Sequence, residues 1–146
     1  MTAISATLRP RVLLLDDDEA FLRRLAAVLS QHGIECLQET IFASLSTQLL
    51  QYPIDVVVSS TTLASAPAGQ VVEVVKDVRP LCQVVLLAGR SRVHHLIELL
   101  ETGASDFATR PASDFAPLLE IISHAVRRAE RWRRELLCSA APEARP

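Results

Sequence analysis

Residues 11–19 read Arg-Val-Leu-Leu-Leu-Asp-Asp-Asp-Glu, an apolar run that stops abruptly at four acids. A continuous apolar run this short suits a strand buried on both faces, as in a parallel sheet. From Asp18 onward the period changes. Phe21, Leu22, Leu25, Val28 and Leu29 recur at helical spacing, and Gly33 follows His32 where such a helix should stop. The stretch therefore predicts a buried strand feeding directly into a helix over about 18–32, with an acidic cluster at the junction.

The same alternation repeats along the chain. Strands are expected at 35–38, 55–59, 84–87 and 106–108, the first of these having the weakest pattern. Leu45, Leu49 and Leu50 predict a second helix ending before Pro53, and Val71, Val72, Val74 and Val75 a third ending before Pro80. Valine resists helix formation modestly, so the third helix rests on the order of elements rather than on propensity. Val93, Leu96, Ile97 and Leu100 give a fourth helix closed by Gly103. Phe115, Leu118, Leu119, Ile122, Ala125, Val126 and Ala129 give a fifth that continues through Trp132 to Leu137. Strands alternating with helices specify an α/β fold on a parallel sheet.

With 146 residues the chain has room for one domain. A composition of 49% hydrophobic and 22% charged residues supplies a core and excludes a disordered polyelectrolyte. No apolar run approaches the roughly 20 residues of a membrane-spanning helix, and residues 1–10 lack the pattern of a secretory signal. The expected location is the cytoplasm. Cys36, Cys82 and Cys138 are odd in number and lack metal-like spacing, so Cys36 and Cys82 read as core or near-core thiols and Cys138 as a tail residue. The net charge of −2 hides two clusters, the acids from Asp16 to Glu19 and the arginines from Arg127 to Arg134.

In an open parallel sheet, ligands collect beyond the carboxyl ends of the strands. Strand one ends in Asp16-Asp17-Asp18-Glu19, strand three in Ser59-Ser60-Thr61-Thr62, strand four in Ala88-Gly89-Arg90 and strand five in Thr109-Arg110-Pro111. Several carboxylates in one pocket call for a cation or a basic side chain. A hard ion such as magnesium on Asp16 and Asp17 is one reading. The other is that Asp18 caps the first helix while Asp17 and Glu19 favour its positive end.

These features together, with Gly103-Ala104-Ser105-Asp106-Phe107 leading into strand five and Arg110-Pro111 closing it, make Arg11 to about Arg128 resemble the receiver domain of bacterial two-component response regulators. The resemblance implies a flavodoxin-like (βα)5 fold. Its doubly wound, parallel five-stranded sheet would run in the order 2-1-3-4-5, here with an extended C-terminal helix. Residues 10–129 would form the receiver-like domain, 130–137 the continued helix and 138–146 a flexible tail. The resemblance also implies a phosphate switch. Two acids after strand one and an aspartate ending strand three hold magnesium, and that aspartate accepts the phosphoryl group. A hydroxyl residue after strand four and a lysine after strand five bind the phosphate, and an aromatic residue in strand five moves with it.

Asp16 and Asp17 match the acidic pair, and Phe107 stands at the aromatic position. The phosphoacceptor position falls on Ser60, the hydroxyl position on Ala88 and the lysine position on Arg110; the chain's one lysine, Lys76, lies on the third helix. Serine needs an adjacent base before it attacks phosphorus. His32, His94, His95 and His124 all fall on helices away from Ser60, so no enzyme activity is expected. Losing one carboxylate also removes roughly 1–4 kcal/mol of attraction for a cation at 4 Å. Magnesium binding is expected to be weak or absent, no cofactor is expected, and Arg110 is expected to reach Asp16 or Asp17 and hold the pocket in one state.

The expected function is therefore a phosphorylation-independent "pseudo-receiver", a signalling module related to phosphorelay proteins. It would bind a protein partner, or a second copy of itself, through the fourth helix, fifth strand and fifth helix, or through the extended last helix. Arg92, His94, Asp106, Arg127 and Arg128 furnish that face, and Arg131 and Trp132 extend it with residue types common at binding hot spots. A solvated helix end, with arginines near its negative terminus, is the competing reading. An alternative function is a nucleotide- or nucleic-acid-binding module using the same Arg and Trp cluster. Against it stand the acidic net charge and the lack of a helix-turn-helix pattern. No membrane partner is expected.

Overall fold

The apolar runs become strands and the helical patterns become helices, in the order the sequence sets. A computed structural model describes residues 11–89, 97, 98 and 100–140. The elements are β1 (Arg11–Leu15), α1 (Glu19–Gln31), β2 (Glu35–Glu39), a 3-10 turn (Phe42–Ser44), α2 (Leu45–Gln51), β3 (Val56–Ser60), α3 (Ala68–Val78) and β4 (Gln83–Ala88). Helical residues 97, 98 and 100, termed α4, precede β5 (Asp106–Thr109) and α5 (Ala116–Ala140). The strands form one parallel sheet in the order β2-β1-β3-β4-β5.

Alternation along each strand divides the apolar residues between two cores. Val12, Leu14, Val56, Val58, Val85 and Leu87 face α1 and α5. Leu13, Leu15, Val57, Val84 and Leu86 face α2 and α3. This double burial explains why the central strands are apolar without interruption. At the sheet edge β2 is only partly buried, which accounts for its weak signal. Val71, Val72 and Val75 are buried on one face of α3, and this tertiary packing outweighs the small helix penalty of valine.

Helix α1 begins where Asp18 accepts the Phe21 N–H at 3.1 Å. It ends at Gly33, whose φ of 77° is left-handed, with the Gly33 N–H donating to Ser30 O and the Ile34 N–H to Leu29 O. Helix α5 and the residue just before it carry one apolar stripe, Phe115, Leu118, Ile122, Ala125, Ala129, Trp132 and Leu136. The first five are buried, whereas Trp132 is 47% and Leu136 55% exposed because the helix has run past the sheet. The Arg133 guanidinium draws that extension back to the fold by pairing with Asp55 at 2.6 Å. Cys138, Ser139 and Ala140, expected to open the flexible tail, instead continue the helix. None of the three breaks a helix, and the first proline after Leu137 is Pro142.

The thiols follow their burial. Cys82 is buried and Cys36 partly buried, and desolvation pushes each up to about 12. Cys138 is exposed on α5. Among the described residues no helix is long and apolar enough to cross a membrane.

Candidate functional site

Four neighbouring strands end in a row, and their ends bring together Asp16, Ser60, Ala88 and Arg110. Leu15 pairs with Ser59, Ser60 with Leu87 and Ala88 with Thr109 across the sheet. The Arg110 N–H donates to Ala88 O at 3.0 Å, fixing the start of the guanidinium's stem beside β4.

Asp16 is only 4% exposed and both its oxygens are engaged. Oδ1 accepts the Asp18 N–H at 2.9 Å, and Oδ2 accepts a short ion-paired hydrogen bond from Arg110 Nη1. The second fork of Arg110, Nη2, lies 3.2 Å from Asp18 Oδ2, while Asp18 Oδ1 caps α1. The backbone N–H of Phe21 is the main reason that the Asp18 carboxyl sits below the usual range, and Arg110 adds to it. Beneath the fork, the Phe21 ring lies 3.9 Å from the Arg110 guanidinium carbon and stacks on Phe115 at 5.9 Å between centroids. A planar, weakly hydrated guanidinium can use both edges and a face in this way; an ammonium cannot.

Asp17 points elsewhere. Its Oδ2 accepts the Ala64 N–H at 2.9 Å, so it pins the loop after β3 instead of pairing with Arg110. Ser60 is buried; its Oγ lies 3.1 Å from Thr62 Oγ1 and accepts the Thr62 N–H at 3.0 Å. Ala88, also buried, contributes no polar side-chain atom. This donor set does not fit magnesium. One acid is neutralised by a guanidinium, a second is committed to a backbone N–H, and the third position offers a neutral hydroxyl in place of a carboxylate.

The expected output residues are more dispersed. Phe107 is partly buried against the α2 and α3 core. The Asp106 carboxylate accepts its neighbour's N–H, that of Phe107, at 2.8 Å. Arg92 and His94 lie outside the described residues. Arg127, Arg131 and Trp132 are exposed on α5, with the Arg131 guanidinium carbon 6.0 Å from the Trp132 ring, while Arg128 Nη1 donates to Gln83 Oε1 at 3.1 Å.

The sequence reading anticipated that Arg110 would meet an acid but named Asp16 or Asp17; the fork takes Asp16 and Asp18. The helix cap orients Asp18 so that its second oxygen faces β5, which the cap signal in the sequence could have suggested. The helical spacing of Phe21 marks it only as a core residue, and nothing in the sequence signals that its ring supports Arg110.

No family model matches the chain. It is 32% identical over 104 residues to the photosynthetic apparatus regulatory protein RegA of Rhodovulum sulfidophilum, a match covering 70% of this chain and 56% of that protein. It is 25% identical over 120 residues to the acid tolerance regulatory protein ActR of Rhizobium meliloti, covering 82% of this chain and 61% of that protein. The chain thus spans little more than half the length of these relatives. Among solved structures, a CheY-like response regulator receiver domain protein from Methanospirillum hungatei superimposes with a TM-score of 0.76 at 20% identity, covering 84% of this chain and 98% of that one. A response regulator receiver domain protein from Clostridium thermocellum gives 0.73 at 20% identity, covering 87% and 98%. With its parallel 2-1-3-4-5 sheet the chain has the fold of the response-regulator receiver domains, and in sequence it is related to the regulatory proteins RegA and ActR.

Proposed function

We propose that this receiver domain signals without phosphorylation, as a cofactor-free, non-enzymatic cytoplasmic module that docks a protein partner, or a second copy, through α4, β5 and α5. The observation carrying this reading is the Arg110 fork on Asp16 and Asp18, next to a buried Ser60 hydroxyl already bonded to Thr62. A phosphoryl group entering there would find no carboxylate acceptor and no base to activate the serine. It would also have to displace an internal cation from a carboxylate that is almost fully buried, an exchange that is costly unless the incoming ion is equally well paired. The pocket is thereby held in one arrangement, and what varies is whether the output face is occupied.

Magnesium followed by beryllofluoride, titrated into the protein and watched by amide NMR, tests the reading. Unchanged resonances for Asp16, Ser60 and Ala88 up to millimolar concentrations are expected. A saturable response that spreads from these residues to Phe107 and Asp106 would overturn it.

A further inference from the structure

The outward face of α5 carries His124, Arg127, Arg128 and Arg131 along one side of the helix, at relative positions 0, 3, 4 and 7, where side chains stack as neighbours. Together they line a shallow cleft of about 230 Å³, with no acidic residue among the described residues that line it. Arg127 has no ion-pair partner among the described residues, and Arg131 has only the neighbouring Trp132 ring. Arg128 is anchored through one nitrogen to Gln83, which holds its stem against the sheet. Arg133, on the opposite side of the helix, is already neutralised by Asp55 and does not belong to this strip.

The ends of the strip limit what can lie on it. Glu120 precedes His124 by four residues and Glu135 follows Arg131 by four, so each falls on the same helical face, and both are exposed. The cationic stretch from His124 to Arg131 covers seven residue steps, about 10 Å at 1.5 Å per residue, with Glu130 and Arg134 along its flank beside Arg127. A continuous polyanion such as a nucleic acid would run off it at both ends onto a carboxylate. A short acidic segment would not, and a helix presenting carboxylates at the same spacing would meet the arginines in register.

We propose that this strip docks a short acidic helical segment of a protein partner, with carboxylates spaced three, four and seven residues apart. The proposal rests on the reading of α5 as part of the output face and names the chemistry of what it receives. Arginine suits the role, since its fork can take each carboxylate through two parallel hydrogen bonds.

The test uses a synthetic alanine-based helical peptide of about four turns with glutamates at that spacing. A second peptide of identical composition has its glutamates distributed around the helix, and a single-stranded oligonucleotide of similar charge is a third probe. Each is titrated into the full chain at low salt and followed by amide NMR and by the fluorescence of Trp132, the chain's single tryptophan. The matched peptide should shift residues 124, 127, 128 and 131, bind at least about threefold tighter than the scrambled one, and weaken as salt is added. Arg127→Ala with Arg131→Ala should abolish the difference between the two peptides, and lysine at both positions should restore most of the charge-dependent part. Both arginines are exposed, so these variants should unfold with the same midpoint as the parent. Equal binding of the two peptides, or tighter binding of the oligonucleotide, would overturn the proposal. Repeating the matched titration with magnesium and beryllofluoride separates the two readings: a shift in peptide affinity would sink phosphorylation independence while sparing the strip, and peptides that fail with an inert pocket would do the reverse.

Discussion

Replacing Arg110 with alanine should cost this protein about 3 kcal/mol of stability. Asp16, 4% exposed, would lose the cation that answers its charge and keep only the Asp18 N–H. Removing one partner of a buried pair costs about 3–5 kcal/mol, and the partial exposure of Arg110 at 32% places this pair at or below the low end. The solvent-screened contact with Asp18 adds little, and the lost stacking on Phe21 about 0.5–1 kcal/mol. For a domain of this size the sum lowers Tm by roughly 6–12 °C. Urea unfolding followed by circular dichroism should show an earlier midpoint with an unchanged slope. Arg110→Lys keeps a charge but loses the fork and the planar stack, so about 1–2 kcal/mol of the loss should remain. Combining Arg110→Ala with Asp16→Asn removes the stranded charge, and the double variant should be more stable than the sum of the single effects by about 1–2 kcal/mol. An Arg110→Ala variant within about 0.5 kcal/mol of the parent, or strictly additive effects, would refute the view that Arg110 replaces a metal ion in the pocket.

Three further perturbations follow from the same contacts. Ser60→Asp with Ala88→Thr and Arg110→Lys supplies an acceptor carboxylate, a hydroxyl and a compact ammonium while freeing Asp16, so magnesium and beryllofluoride should now shift the amide spectrum around β1, β3 and β4; an inert triple variant would mean that elements beyond these three positions also disable the pocket. Arg133→Ala strands Asp55, whose side chain is 13% exposed, and should cost about 1–2 kcal/mol in a thermal melt while fraying the end of α5, visible as lost helical ellipticity. The Cys82 thiol titrates near 12 in the fold against about 9 unfolded. Between those values the folded state holds a proton that the unfolded chain gives up, so stability should fall by about 1.4 kcal/mol per pH unit above 9 from this thiol, and Cys82→Ala should flatten the decline in melts at pH 8–10.5.

Much of the architecture was legible because burial leaves a periodic record. Five strands, their order along the chain and the stops at Gly33 and Gly103 all follow from local chemistry: double-faced burial makes strands apolar without a break, and a left-handed turn favours glycine. Strand β2 read weakly because an edge strand shares its burial with solvent. The end of α5 was set too early, since a polar tail and a solvated helix end look alike when no breaker separates them.

The site was legible in its parts and not in its pairings. Linear order alone placed acids after β1, a serine after the valines of β3, an alanine after β4 and an arginine after β5, because strand ends in a parallel sheet share one edge. Which oxygen of which aspartate Arg110 takes, that Asp17 turns to the Ala64 N–H, that Phe21 supports the guanidinium and that Arg133 reaches Asp55 across 78 residues were decided by tertiary structure. Periodicity reports how much of a side chain is buried, whereas a directed hydrogen bond or stacking contact depends on the three-dimensional approach of two elements, and no local pattern encodes that.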